Sequence, residues 1–157
     1  MYQRIVVPLD GSQTAAFALE YAKALAQKFD STVHLVRAVH TLGELAQVAT
    51  PSLTTAALSQ DVISRQDEAS EQSAARTYLD GVRKELEADG VKAETRVRDG
   101  APAAQILEAA RAAGADVIVM TAFGAGGAHT RAERAVYGGV ADEVLRQSHV
   151  PVLLIRP

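Results

Sequence analysis

Residues 115–141 read ADVIVMTAFGAGGAHTRAERAVYGGVA. Ala115–Thr121 is almost wholly apolar, as a strand buried on both faces of a parallel sheet must be. It empties into a glycine-rich loop (Gly124, Gly126, Gly127) that carries His129, Arg131 and Arg134, and a second glycine pair, Gly138-Gly139, opens a helix reaching Gln147. A buried strand that feeds through glycines into a helix N-terminus can hold an anion, because unpaired N–H groups and the helix dipole meet there. Arg131 and Arg134 would add charge-assisted bonds to phosphate. The same stretch also reads as a surface connection whose glycines supply only flexibility.

Working outward, the flanks alternate between strand and helix signals. Downstream, Val150–Ile155 (VPVLLI) is a terminal strand, and Pro151, lacking an N–H, suits an edge. Upstream, Ala103–Ala113 is an alanine-rich helix opened by Pro102 and closed by Gly114. Val91–Val97 (VKAETRV) alternates apolar and polar residues, as an edge strand with one exposed side does. Gln66–Asp89 is a helix with Ala75, Tyr78, Leu79, Val82 and Leu86 as its inner stripe, ended by Gly90. Residues 40–64 read as an irregular excursion with a short helical piece near Leu53–Leu58, placed over the carboxyl edge of the sheet. Thr32–Val39 is a strand in which His34 and Arg37 read as partly solvated strand-end residues. Gln13–Phe29 is an amphipathic helix with Ser12 as its N-cap, and Ile5–Val7 is a buried strand.

Strands alternating with helices imply one α/β domain over residues 1–157, a doubly wound parallel sheet of five strands with helices on both faces. In the order 3-2-1-4-5, the winding reverses between the first and fourth strands, and ligands sit beyond the carboxyl ends at such a reversal. Those ends are Pro8-Leu9-Asp10 and Met120-Thr121-Ala122, so the topology carries Asp10 toward the glycine-rich stretch.

Composition excludes several functions. The 157 residues carry a net charge of −3 and 4% aromatics, which argues against a nucleic-acid binder built on basic stripes or stacking platforms. The absence of cysteine removes disulfides, thiol nucleophiles and Cys-based zinc sites. The four histidines lack metal-ligand spacing. No leader segment and no apolar run near the roughly 18 residues of a membrane span is visible, so a soluble cytoplasmic protein without membrane contact is expected. Asp10 could accept from an adenine amine, bind a ribose hydroxyl or hold a divalent ion; equally, Asp-Gly-Ser is a common turn. Asp142 and Glu143 read as first-turn acids complementing the helix dipole. No Ser/His/Asp set or carboxylate pair can be assembled for catalysis.

These segments together resemble the universal stress protein family. RIVVPLDGS followed by ALEYAKALA is similar to that family's opening strand and helix, GAPAAQILEAARAAGADVIVM to its third helix and fourth strand, and GGVADEVLRQSHVPVLLIRP to its closing helix and strand. The resemblance implies an adenine-nucleotide-binding α/β fold with ATP as ligand, magnesium entering with it, and a homodimer through the C-terminal strand, 150–155. Pro8, Leu9 and Asp10 would border the adenosine with Ala38, Met120 and Thr121 beside it; Gly124 and Gly127 would shape the loop, and Gly138, Gly139 and Val140 would offer N–H groups to phosphate. The ATP-binding branch carries Gly, two residues, Gly, nine residues, then Gly-Ser or Gly-Thr. Here Thr121 stands at the first glycine, thirteen residues (125–137) separate Gly124 from Gly138, and Gly139 replaces the hydroxyl residue. The expected role is a stress-response or signalling module with little or no catalysis. A dimeric interaction protein without nucleotide and a slow ATP hydrolase are the alternatives.

Overall fold

The computed structural model describes residues 1–39, 56–124 and 138–156. The elements in chain order are β1 (Arg4–Pro8), α1 (Gln13–Phe29), β2 (Thr32–Val39), α2 (Ala56–Ala88), β3 (Lys92–Asp99), α3 (Pro102–Ala113), β4 (Val117–Thr121), α4 (Gly139–Gln147) and β5 (Val152–Ile155). The strands form one sheet in the order β3-β2-β1-β4-β5, every neighbouring pair parallel. The doubly wound five-stranded architecture read from the sequence is the one observed.

Alternate residues of each interior strand feed two cores. Ile5, Val7, Val33, Leu35 and Val119 pack against Ala15, Ala18, Ala22 and Ala26 of α1 and Leu79, Val82 and Leu86 of α2. Val6, Val36, Ile118 and Met120 pack against Ile106, Leu107 and Ala110 of α3 and Ala141 and Val144 of α4. Both faces of β4 are therefore covered, which is why all five of its residues are buried and its sequence reads as an unbroken apolar run. Full burial of a side chain such as Leu79 stabilises by roughly 1.5–3 kcal/mol.

Local signals set the element ends. Ser12 Oγ accepts from Ala15 N–H at 3.1 Å and caps α1, and Pro102 opens α3. Gly114 closes α3 in the left-handed conformation, its N–H bonded to the last turn.

Two readings need correction. The second helix begins at Ala56 rather than near Gln66, so the irregular excursion 40–64 holds nine residues or so of helix; 40–55 lie outside the described residues. The added residues follow the proline- and threonine-containing run PSLTT (51–55), which reads as loop. His34, in turn, is not at a solvated strand end. β3 pairs along the whole of β2, and α3 packs over that face, so His34 sits mid-strand at 7% exposure. Arg37 does remain partly exposed.

Candidate nucleotide site

β1 and β4 lie side by side, and each sends its following helix to a different face of the sheet. The loops leaving them part, and a cavity of about 520 Å³ opens between them at the carboxyl ends. Its walls come from β1 and its exit (Pro8, Leu9, Asp10), β2 (Val36, Ala38), the β4 end (Met120, Thr121, Gly124) and the α4 start (Gly138, Gly139, Val140). Every one of those except Val36 is a residue the sequence singled out. Gly127, Arg131 and Arg134 lie outside the described residues, as do Gly126 and His129.

Asp10 has two jobs. Its Oδ1 accepts from Ser12 N–H at 2.9 Å and from Ser12 Oγ–H at 2.6 Å, and the same Ser12 caps α1. This is the Asx-type turn expected of Asp-Gly-Ser. Oδ2 lies against Gly124 so closely that a Cβ there would collide with it. The two loop ends thus meet at the switch point, and glycine at 124 is what lets them. Between them, Gly11 adopts a φ of +86°, with Arg37 Nη1 only 3.1 Å from where a Cβ would stand. Arg37 lies over the Tyr78 ring, 5.5 Å from its centroid. The Tyr78 phenol is harder to ionise than usual, first because it is buried and next because the Asp10 charge is near; Arg37 works the other way.

The backbone completes the site. Leu9 N–H donates to the Val36 carbonyl at 2.8 Å, so Val36 turns its peptide groups toward β1, whereas Gly100 N–H donates to the Val39 carbonyl at 3.0 Å on the β3 side. Two residues beyond Val36, Ala38 faces as Val36 does, but there the chain of β1 has turned away at Asp10 and the cavity takes its place. Ala38 presents a backbone donor and acceptor beside apolar walls. At the other end, Gly138 is the N-cap of α4, so the first N–H groups of that helix border the cavity. Thr121 contributes differently from what its hydroxyl suggests: Oγ1–H donates to the Phe123 carbonyl at 2.8 Å and shapes the turn.

Pro102, Ile106, Phe123 and Ala15 also line the cavity and were not expected there. The signal for Pro102 and Ile106 was their one-turn spacing at the head of the helix that follows β3. Asp10 is the one ionisable side chain among the described lining residues. No group of three or more His, Cys, Asp or Glu that could hold a metal occurs among the described residues.

This fold and this site can be set beside known proteins. The model of the universal stress protein family matches residues 1–156. The chain belongs to the universal stress protein family. Universal stress protein MJ0531 of Methanocaldococcus jannaschii is 31% identical over 99% of this chain and 83% of its own length. Among solved structures, MJ0577 superposes with a TM-score of 0.81 at 24% identity, covering 100% of this chain and 97% of that one. UspA from Lactobacillus plantarum gives 0.79 at 22% identity, covering 99% and 98%. A universal stress protein solved in complex with cAMP gives 0.62 at 24% identity, covering 99% and 97%. No helix among the described residues is long and apolar enough to cross a membrane.

Proposed function

We propose that this universal stress protein is an adenine-nucleotide-binding module that takes ATP at the carboxyl ends of β1 and β4. The observation that carries the reading is the cavity itself, which has an apolar end beside the Ala38 peptide groups and a helix N-terminus at the other end. A base, a ribose and phosphates need those three environments in that order. The apolar end is formed by Val36, Ala38, Ile106 and Met120, with the Ala38 peptide groups offered to the base edge. Asp10 stands at mid-site for the ribose hydroxyls, and the Gly139 and Val140 N–H groups face the phosphates; that of Gly138, which the sequence also offered, is taken by the Ala122 carbonyl at 2.9 Å. A relative crystallised with cAMP supports an adenine nucleotide as the ligand class. Magnesium would enter with the triphosphate, near Asp10, rather than occupy a site of its own. The phosphate contacts expected of Arg131 and Arg134 from the sequence are part of the same proposal.

The reading is of a binding module for cytoplasmic stress signalling; among the described lining residues Asp10 is the one ionisable side chain, with no second group beside it to complete an acid–base pair. It acts as a homodimer through the uncharged 150–155 edge.

Thermal melts with ATP, AMP and cAMP test it. A ligand at a hundredfold excess over Kd adds about 2.7 kcal/mol, which for this chain length raises Tm by roughly 5–10 °C. Asp10→Ala should lose most of that ligand-induced shift. No shift of the wild-type protein at millimolar nucleotide rejects the proposal.

A further inference from the structure

On the face of the sheet covered by α1 and α2, Val33 and Leu35 of β2 are buried in the core. Two residues further along, the alternation puts Arg37 on that same face, at the carboxyl end of the strand. The cavity is lined from the other face by Val36 and Ala38, and Arg37 does not line it. A cation that ends an apolar row has to be held by something. No ion pair or hydrogen bond of Arg37 occurs among the described residues. Its guanidinium lies instead over the Tyr78 ring, 5.5 Å from the centroid and within cation–π range, and comes up against Gly11.

The contact with Gly11 is broad. Nη1, Cζ and Nη2 stand 3.1, 3.4 and 3.5 Å from where a Cβ would be, so the guanidinium covers the residue with a side and not with a single tip. Gly11, at a φ of +86°, is the middle residue of the turn in which Asp10 Oδ1 accepts from Ser12 N–H and Oγ–H. Glycine has more backbone freedom to lose than any other residue, so a turn built on it needs a neighbour to hold it. Arg37 is that neighbour on the side away from the cavity, and α2 holds Arg37 through Tyr78. Charge agrees with shape. After burial, the main cause of its shift, the Tyr78 phenol pKa is raised by the Asp10 charge and lowered by that of Arg37, so the two charges act at one place.

We infer that Arg37 is a positioning residue of the nucleotide site: stacked on Tyr78, it packs over Gly11 and fixes the Asp10 turn, so that the carboxylate is aimed into the cavity before the ligand arrives. Its charge also offsets that of Asp10 toward a phosphate-bearing ligand. Preorganisation of this kind raises affinity by removing an ordering cost from binding. A planar guanidinium can lie against a ring and a peptide together, whereas a lysine ammonium is a point charge on a flexible stem. The role of Arg37 deepens the reading of the site as a nucleotide site and rests on it.

Calorimetric titration with ATP and amide exchange read by NMR test it on the full chain, using the wild type, Arg37→Met and Arg37→Lys. The Ser12 N–H reports the turn, because it is bonded to Asp10. Arg37→Met should weaken the ATP Kd by about tenfold, as loss of an orienting partner behind a ligating group does at metal sites, and Arg37→Lys should weaken it less. The Ser12 amide should exchange about tenfold faster in Arg37→Met, while the amides of Ala18 and Ala22, buried in α1, change far less. An ATP Kd unchanged in Arg37→Met overturns the role of Arg37. So does a weakened Kd with an unchanged Ser12 rate, or one in which Ala18 and Ala22 speed up as much as Ser12, since the loss would then be one of general stability. In each of those cases the wild type still binds ATP and the site reading stands. A wild type that binds no ATP rejects the site reading and the role of Arg37 with it.

Discussion

Gly138 and Gly139 adjoin one another in sequence and have opposite tolerances. A Cβ on Gly138 would stand 3.1 Å from the Ala122 carbonyl oxygen and 3.7 Å from Phe123 Cα. Both are backbone atoms, and the Gly138 N–H already donates to that oxygen at 2.9 Å, tying the head of α4 to the end of β4. Around Gly139 there is open space. Gly138→Ala should therefore cost about 1–3 kcal/mol, the usual range for forcing atoms into a packed site, and should impair nucleotide binding by moving the helix N-terminus. Gly139→Ser should change stability by no more than about 0.5 kcal/mol and tighten ATP binding by restoring the family's hydroxyl. Urea melts and nucleotide titrations of the two variants check this. Equal destabilisation by both would contradict it. In the sequence the two glycines look alike, since what separates them is one carbonyl brought up from β4.

At the scale of elements, legibility followed burial. α1 was readable because its buried alanines at 15, 18, 22 and 26 keep a helical stripe. The inner stripe of α2 was readable from Ala75 to Leu86 for the same reason. Its start was not: α2 begins at Ala56, ten residues before the Gln66 read from the sequence. Within the part that was read, none of residues 68–74 is fully buried and only Glu68 and Gln72 are partly covered, so propensity carries most of the helix there. A helical stretch held by propensity alone opens locally at far lower cost than one docked on a sheet. Amide exchange should accordingly be much faster over 68–74 than over 79–86, within one continuous helix. Hydrogen exchange read by mass spectrometry resolves the two segments. Uniform protection along α2 would mean that its first half is docked on something the described residues do not include.

At the scale of the whole molecule, a parallel doubly wound sheet was legible from the alternation of strands and helices, while the order 3-2-1-4-5 entered as one of the arrangements such sheets adopt. Given that order, Asp10 and Gly124 come together. What the linear pattern did not carry was lateral cover. His34 looks like a polar strand end until β3 pairs along it and α3 lies over it, and that cover ties the whole fold to pH. Burial lowers the His34 pKa; Arg96 and Arg4 act in the same direction, and Glu94, 3.3 Å from Nδ1, opposes them. Neither ring nitrogen has a hydrogen bond among the described residues. The unfolded chain holds this histidine at its ordinary value of about 6.5, so just below that pH the unfolded state binds more protons than the native one. Stability then rises with pH. It is full above about 6.5 and is lost as pH falls below it, down to the lowered native value, with a slope of at most about 1.4 kcal/mol per pH unit from this one group. Urea melts from about pH 7 to about pH 5 should show the loss in the wild type and a flatter profile in His34→Leu. Glu94→Gln, which removes the opposing carboxylate, should carry the loss to lower pH. If His34→Leu and the wild type lose stability in parallel, the acid sensitivity of the fold arises elsewhere.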